Sequence, residues 1–218
     1  METVIIACKT IEDELFAAIE ATGVDYPIEW IESGLHDVPK KLTAHLNEVL
    51  EGVSAERMLL AMGSCGNSIQ GIQPGSFELI VPRVDDCISL LLGSIEARGK
   101  ITDEYAAYFL TEGWMRGERN IWVEYQYTLG KYGEETAKDI AKAMFGHYRT
   151  LGLLDTGIAP IQPLVESSKI IADTLSLEQK VIPASISYLE LLLTGPWTED
   201  KFLVKAPGEE ITIKDLMF

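Results

Sequence analysis

The chain has 218 residues, with 18 Lys and Arg against 34 Asp and Glu and a formal net charge of −16. That length supports one sizeable core or two small ones, and an acidic chain without a run of Lys or Arg excludes nucleic acid and anionic membrane as natural partners. No window approaches the roughly 18 uninterrupted apolar residues of a membrane-spanning helix, and METVIIACKTIEDEL at the start has no basic leader and no long apolar region, so the expected location is cytoplasmic.

Residues 3–7, TVIIA, read as a short buried strand that Cys8 ends. Thr10 then opens a helix with Asp13 three positions on, close to a capping box. Ile11, Leu15, Ala18 and Ile19 form its apolar face and Gly23 stops it. YPIEWIE predicts a second strand. SGLHDVPKKLTAHLNEVLEGV predicts a loop and a helix with Leu42, Leu46, Val49 and Leu50 on one face. ERMLLAM and FELIVP predict the third and fourth strands, and DDCISLLLGSIEARG a loop followed by one helix.

Further on, AAYFLTEGW reads as a strand and turn, residues 119–130 and 134–148 as helices, and TLGLLDTG as a strand. Residues 161–176 read as helical, SISYLELLLTG as a last helix, alone or after a strand, and the tail as short β segments. Alternating helices and continuous apolar strands are the pattern of a parallel sheet covered on both faces. The expected fold is therefore α/β: an open, mainly parallel sheet with helices on both faces, Rossmann-like and three-layered. With no linker or repeat, residues 1–218 read as a single domain. Residues 1–100 form the strand–helix repeat, and residues 101–218 form a more helical half with a C-terminal extension.

The three cysteines, Cys8, Cys65 and Cys87, each come at or shortly after the end of an apolar strand. In an open parallel sheet the carboxyl ends of the strands share one edge, where ligands bind. Three residues far apart in sequence can therefore converge. An odd, small cysteine count in a cytosolic chain argues against a disulfide framework. Converging thiolates suit zinc with one position left open, or an iron–sulfur cluster with an open iron. A helix N-terminus favours the thiolate, so Cys87, opening a helix, is expected to be reactive. Against this stands the ordinary role of free cysteine as a small buried residue.

Around the thiols, Gly63 and Gly66 in AMGSCGNSIQGI read as glycines that let a ligand approach, with Asn67 beside them. Asp85 and Asp86 read as helix caps or as acids supporting the site. Arg83 reads as a holder of an anionic group or a partner for these aspartates, and His36 as a loop-to-helix residue on the same edge. Glu14, one turn into the first helix, reads as a solvated face or as a group pointing back at the site. His45 reads as helix surface, His147 as a helix-end residue, and Trp114, Trp122, Tyr125 and Tyr127 as core. GSCGNSIQG lacks G-x-G-x-x-G and a P-loop lysine, and no G-x-S-x-G occurs, so dehydrogenase, kinase and serine hydrolase readings find no support.

Taken together, IIAC with Glu14, LHDVPKKL, GSCGN, IVPRVDDCISLLLGS, LTEGW, FGHYRTLGLLDTG, LLTGPW and FLVKAPGE span nearly the whole chain. In this combination the chain resembles the prokaryotic domain-of-unknown-function family numbered 1638. The resemblance implies a genomic setting near corrinoid-dependent methyltransferases for methylamine-type substrates. It also implies that the family's three cysteines are Cys8, Cys65 and Cys87 here and its histidine His36. The chain departs from the family pattern at Asp85, where a histidine is usual, and at Ser68, where a glycine is common.

Two readings follow. In the first, the three cysteines bind a metal, zinc foremost, in or beside corrinoid-dependent methyl transfer. The protein is then a methyltransferase, or an accessory that binds a corrinoid or a corrinoid protein without catalysis. In the second, SCGNS resembles the loops of cofactor-independent racemases, and Cys65 with Cys8 or Cys87 straddles a small-molecule substrate as acid and base.

Overall fold

A computed structural model describes residues 2–217, apart from the side chains of residues 36 and 37. The first half runs β1 (Thr3–Cys8), α1 (Glu12–Thr22), β2 (Ile28–Ile31), α2 (Pro39–Gly52), β3 (Arg57–Ala61), β4 (Glu78–Pro82), α3 (Cys87–Leu92) and α4 (Ile95–Tyr105). The second half runs β5 (Ala107–Leu110), α5 (Glu112–Arg116), α6 (Ile121–Tyr132), α7 (Glu134–Phe145), β6 (Thr150–Asp155), α8 (Gln162–Leu175), β7 (Glu178–Pro183), α9 (Ser187–Thr194) and β8 (Phe202–Lys205). Among the described residues, no helix is long and apolar enough to cross a membrane.

The architecture is α/β, built on an open, mostly parallel sheet. The first sheet has the order β2-β1-β3-β4-β8. Its first four strands are parallel, with Ala7 opposite Trp30 on one side and Ala61 on the other, and Leu59 opposite Ile80. β1 is buried at every position, as its unbroken apolar run requires of a central strand. Parallel crossovers are right-handed, and β1-to-β2 runs one way while β2-to-β3 runs the other, so α1 and α2 fall on opposite faces. Leu42, Leu46 and Leu50 are the buried stripe of α2, each contributing about 2 kcal/mol by burial.

The strands divide between two sheets. β5, β6 and β7 form a separate three-stranded parallel sheet, whose Ala107, Phe109, Leu154 and Ile182 join the same buried core as the first sheet. The chain then returns through α9, and β8 pairs antiparallel with β4 at the edge of the first sheet. β7 is a strand that composition hides: EQKVIP is charged, half exposed and ends in proline, as an edge strand tolerates. The helix expected over DDCISLLLGSIEARG is two helices. Gly93 ends α3 in the left-handed region, and the Ser94 side chain accepts from the Ala97 N–H to start α4. Of the aromatics expected in the core, Tyr125 is buried, Trp114 and Trp122 pack against it or its neighbours, and Tyr127 is exposed.

Candidate functional site

The strand order reverses between β1 and β3, and their carboxyl ends flank the crevice that such a reversal opens. Cys8 is the last residue of β1. Cys65 follows β3 by four residues, and Cys87 is the first residue of α3 after the adjacent strand β4. Cys8 and Cys87 are buried, at 0% and 2% exposure, and Cys65 is partly exposed. None of the three is in a disulfide.

Thr10 ties two of the thiols together. Its Oγ1 lies 2.9 Å from Cys8 Sγ and 3.5 Å from Cys87 Sγ. The Cys87 thiol is also hydrogen-bonded with Cys8, and this contact is the main reason its pKa stands well above the usual range. Burial and the charges of Cys8, Cys65 and Asp86 push it the same way. The expectation of a reactive Cys87 is thereby overturned. α3 has only six residues, and its dipole is outweighed by desolvation and like charge. Burial likewise raises Cys65, reinforced by Cys8, Asp86 and Asp85 and opposed by the Gly63 backbone.

Cys65 sits in an unusual turn. Cys65, Gly66 and Asn67 have φ of 43°, 68° and 64°, three consecutive residues in the left-handed region, which non-glycine residues enter at a cost of roughly 1–2 kcal/mol each. The Ser68 N–H donates to the Ser64 carbonyl at 2.9 Å and closes the turn. The loop before α3 holds it from below: the Ser64 N–H donates to the Val84 carbonyl at 2.9 Å, and the Cys65 N–H to the Asp85 carbonyl at 2.7 Å. This contact corrects the reading of Gly63. A Cβ there would stand 2.5 Å from the Asp86 Cα and N, so Gly63 makes room for the chain's own backbone rather than for a ligand. Gly66 is required by its φ. Asn67 is exposed at the tip.

The two aspartates brace this loop pair. Asp86 caps α3, its Oδ1 accepting from the Ser89 N–H at 3.0 Å. Asp85 accepts from the Ser89 hydroxyl. Arg98, on α4, spans both carboxylates, 2.6 Å from Asp85 and 3.1 Å from Asp86. Asp85, the position where the resemblance implies a histidine, is thus a member of an ion pair. Arg98 had no signal of its own in the sequence, because it acts across more than ten residues of chain. Thr10, expected to open the first helix in a near capping box, lies instead in a 3-10 turn before α1, and its hydroxyl serves Cys8 and Cys87.

The remaining candidates lie elsewhere. Arg83 donates to the Asp215 carbonyl at 3.3 Å and so holds the C-terminal segment. Glu14 is 3% exposed rather than solvated, and it lines a cavity to which no cysteine contributes. His36 falls in a 3-10 turn over Ser33–Asp37, and its side chain lies outside the described residues. A cavity of about 240 Å³ opens beside Thr10, with Lys9 and Glu32 paired across it at 2.9 Å. A cavity of about 980 Å³ lies among α6, α7 and α8, and no cysteine lines it.

The donor set suits a thiophilic cation in kind, three sulfurs in surroundings that carry two carboxylates. As the side chains stand, however, no group of three or more His, Cys, Asp or Glu among the described residues is placed to hold a metal ion. A family model described as "Protein of unknown function (DUF1638)" matches residues 30–193, a span that contains Cys65 and Cys87 and begins after Cys8. No curated protein and no solved structure gives a match.

Proposed function

For this chain, which belongs to the DUF1638 family, we propose a thiol-based metal site at the crevice between β1 and β3. Cys8, Cys65 and Cys87 are its ligands and zinc its first-choice metal. The observation that carries this reading is the approach of Cys8 and Cys87 around one hydroxyl, Thr10 Oγ1 lying 2.9 Å from Cys8 Sγ and 3.5 Å from Cys87 Sγ, with Cys65 close enough for the charges of the three thiols to act on one another. They come from a strand end, a turn and a helix start, yet each of the other two raises the pKa of Cys87, and Cys8 raises that of Cys65. Asp85 and Asp86 push in the same direction. Thiols held protonated by crowding and nearby negative charge are the setting that a cation relieves, with release of the protons. The left-handed backbone at Cys65 is a second support, since such strain persists where surrounding contacts impose it and collects at functional sites.

When bound by thiolates with one position open, zinc supplies Lewis-acid polarisation of a thiol or methyl donor. Of the protein's own groups, Thr10 orients Cys8 and Cys87, Asp85 and Arg98 fix the loop that carries Cys87, and the Ser64–Ser68 turn presents Cys65. An iron–sulfur cluster would use the same three sulfurs. A place in or beside corrinoid-dependent methyl transfer, as methyltransferase or as corrinoid-binding accessory, is supported by the family resemblance alone. The racemase-type reading, with Cys65 and either Cys8 or Cys87 as the acid–base pair, draws less support, because both Cys65 and Cys87 are held away from the thiolate.

The test is metal analysis of protein prepared anaerobically and offered zinc under reducing conditions, with a visible spectrum to expose iron–sulfur or corrinoid absorbance. We expect zinc near one per chain in the wild type. We also expect its loss in each of Cys8→Ala, Cys65→Ala and Cys87→Ala, with circular dichroism unchanged. A wild type that takes up no metal, or three folded variants that keep wild-type content, would overturn the reading.

A further inference from the structure

The buried carboxylate of Glu14 has no part in the thiol site. It lies in the first turn of α1, where the helix dipole favours negative charge, yet its side chain is enclosed and its Oε2 has no hydrogen-bond partner. An unpaired buried acceptor is costly, and this one lines a cavity of about 370 Å³. The cavity lies between α1 and the carboxyl ends of β5 and β6, the edge at which open parallel sheets take ligands.

The walls state what would fit. Asp13, Glu14, Glu20, Glu112 and Asp155 bring five carboxylates, and no Lys or Arg lines the space. One of these is already matched, since Arg116 pairs with Asp13 at 2.7 Å. Phe16, Leu154 and Leu164 supply apolar surface between the acids. Among the described residues no group of three or more carboxylates is placed to hold a metal ion. The charge therefore calls for an organic cation with an apolar body, and the unpaired Glu14 oxygen calls for an N–H donor.

We propose that this cavity is a binding site for a small primary or secondary organic ammonium ion, with Glu14 accepting its N–H at the base. The site is separate from the thiol crevice and does not depend on metal there. Binding should weaken as pH falls below about 7, the value to which burial lifts Glu14, because protonation removes the anion that the ammonium meets. Asp13 and Glu20 on α1, Glu112 and Arg116 on α5, and Asp155 at the end of β6 are the other charged groups around it. Of these, Asp13 raises the Glu14 value and Arg116 lowers it.

Calorimetric titration of the full chain at about pH 8 with cyclohexylammonium, and with cyclohexanol as its neutral counterpart, tests the proposal. Loss of one charge-assisted hydrogen bond is expected to cost about tenfold or more in affinity. Cyclohexanol should therefore bind at least about tenfold more weakly, and Glu14→Gln should weaken cyclohexylammonium by a similar factor. Ala159→Trp, which fills the cavity from an exposed loop position, should abolish binding even if Glu14→Gln fails to fold. Three results would overturn the proposal: no cyclohexylammonium binding at millimolar concentration, equal binding of cyclohexanol, or unchanged affinity in the folded variants. So would a magnesium or calcium ion that binds there in place of the amine.

Discussion

Replacing Glu14 by Gln measures the cost of a charge held out of water. Glu14 is 3% exposed, and burial lifts its pKa from 4.5 to about 7, opposed by a hydrogen bond from its own backbone N–H and by Arg116, with Asp13 adding to the effect. A carboxyl whose folded value lies above its unfolded value binds its proton more tightly in the folded chain. The stability this provides is complete below the unfolded value and is lost as pH rises through the folded one. The separation of the two values corresponds to about 3 kcal/mol between the fully protonated and fully ionised limits. About 2.5 kcal/mol of that falls between about pH 5 and about pH 8. Urea unfolding of both proteins across this range, without added amine, gives the comparison directly. Glu14→Gln, which resembles the neutral carboxyl at every pH, should gain on the wild type by about 2.5 kcal/mol from the acid to the alkaline end. A stability difference that stays constant with pH would refute the burial of the Glu14 charge.

Two further outcomes follow from the thiol crevice. Gly63→Ala should destabilise the protein by about 3 kcal/mol in urea unfolding, because the new methyl meets backbone rather than a movable side chain. A loss under about 1 kcal/mol would show that the loop before α3 yields easily. In metal-free protein at neutral pH, Cys87 should react with iodoacetamide at least about tenfold more slowly than a model thiol, as judged by mass spectrometry of the labelled peptide. Reaction at the model rate or faster would refute the raised pKa derived from its contact with Cys8.

Much of the fold is written locally. The unbroken apolar runs of β1, β3 and β4, the spaced leucines of α2 and the glycine after α1 each set a short element through contacts within a few residues. Strand-end placement of Cys8, Cys65 and Cys87 could be inferred because a parallel sheet puts all carboxyl ends on one edge, whatever the distance in sequence. Asp86 as a helix cap was legible for the same local reason. Other features depend on partners remote in the chain. The separation of β5, β6 and β7 into their own sheet and the return of β8 to β4 are choices among strand pairings that look alike in sequence. So are the hold of Arg98 on Asp85 and Asp86 and the link through Thr10 between Cys8 and Cys87. Even the sign of a functional property turned on packing. Position alone makes Cys87 a helix-start thiolate and Glu14 a solvated carboxylate, but desolvation and neighbouring negative charge reverse both. Those energies are set by which groups tertiary structure brings within a few ångströms and how much water it removes.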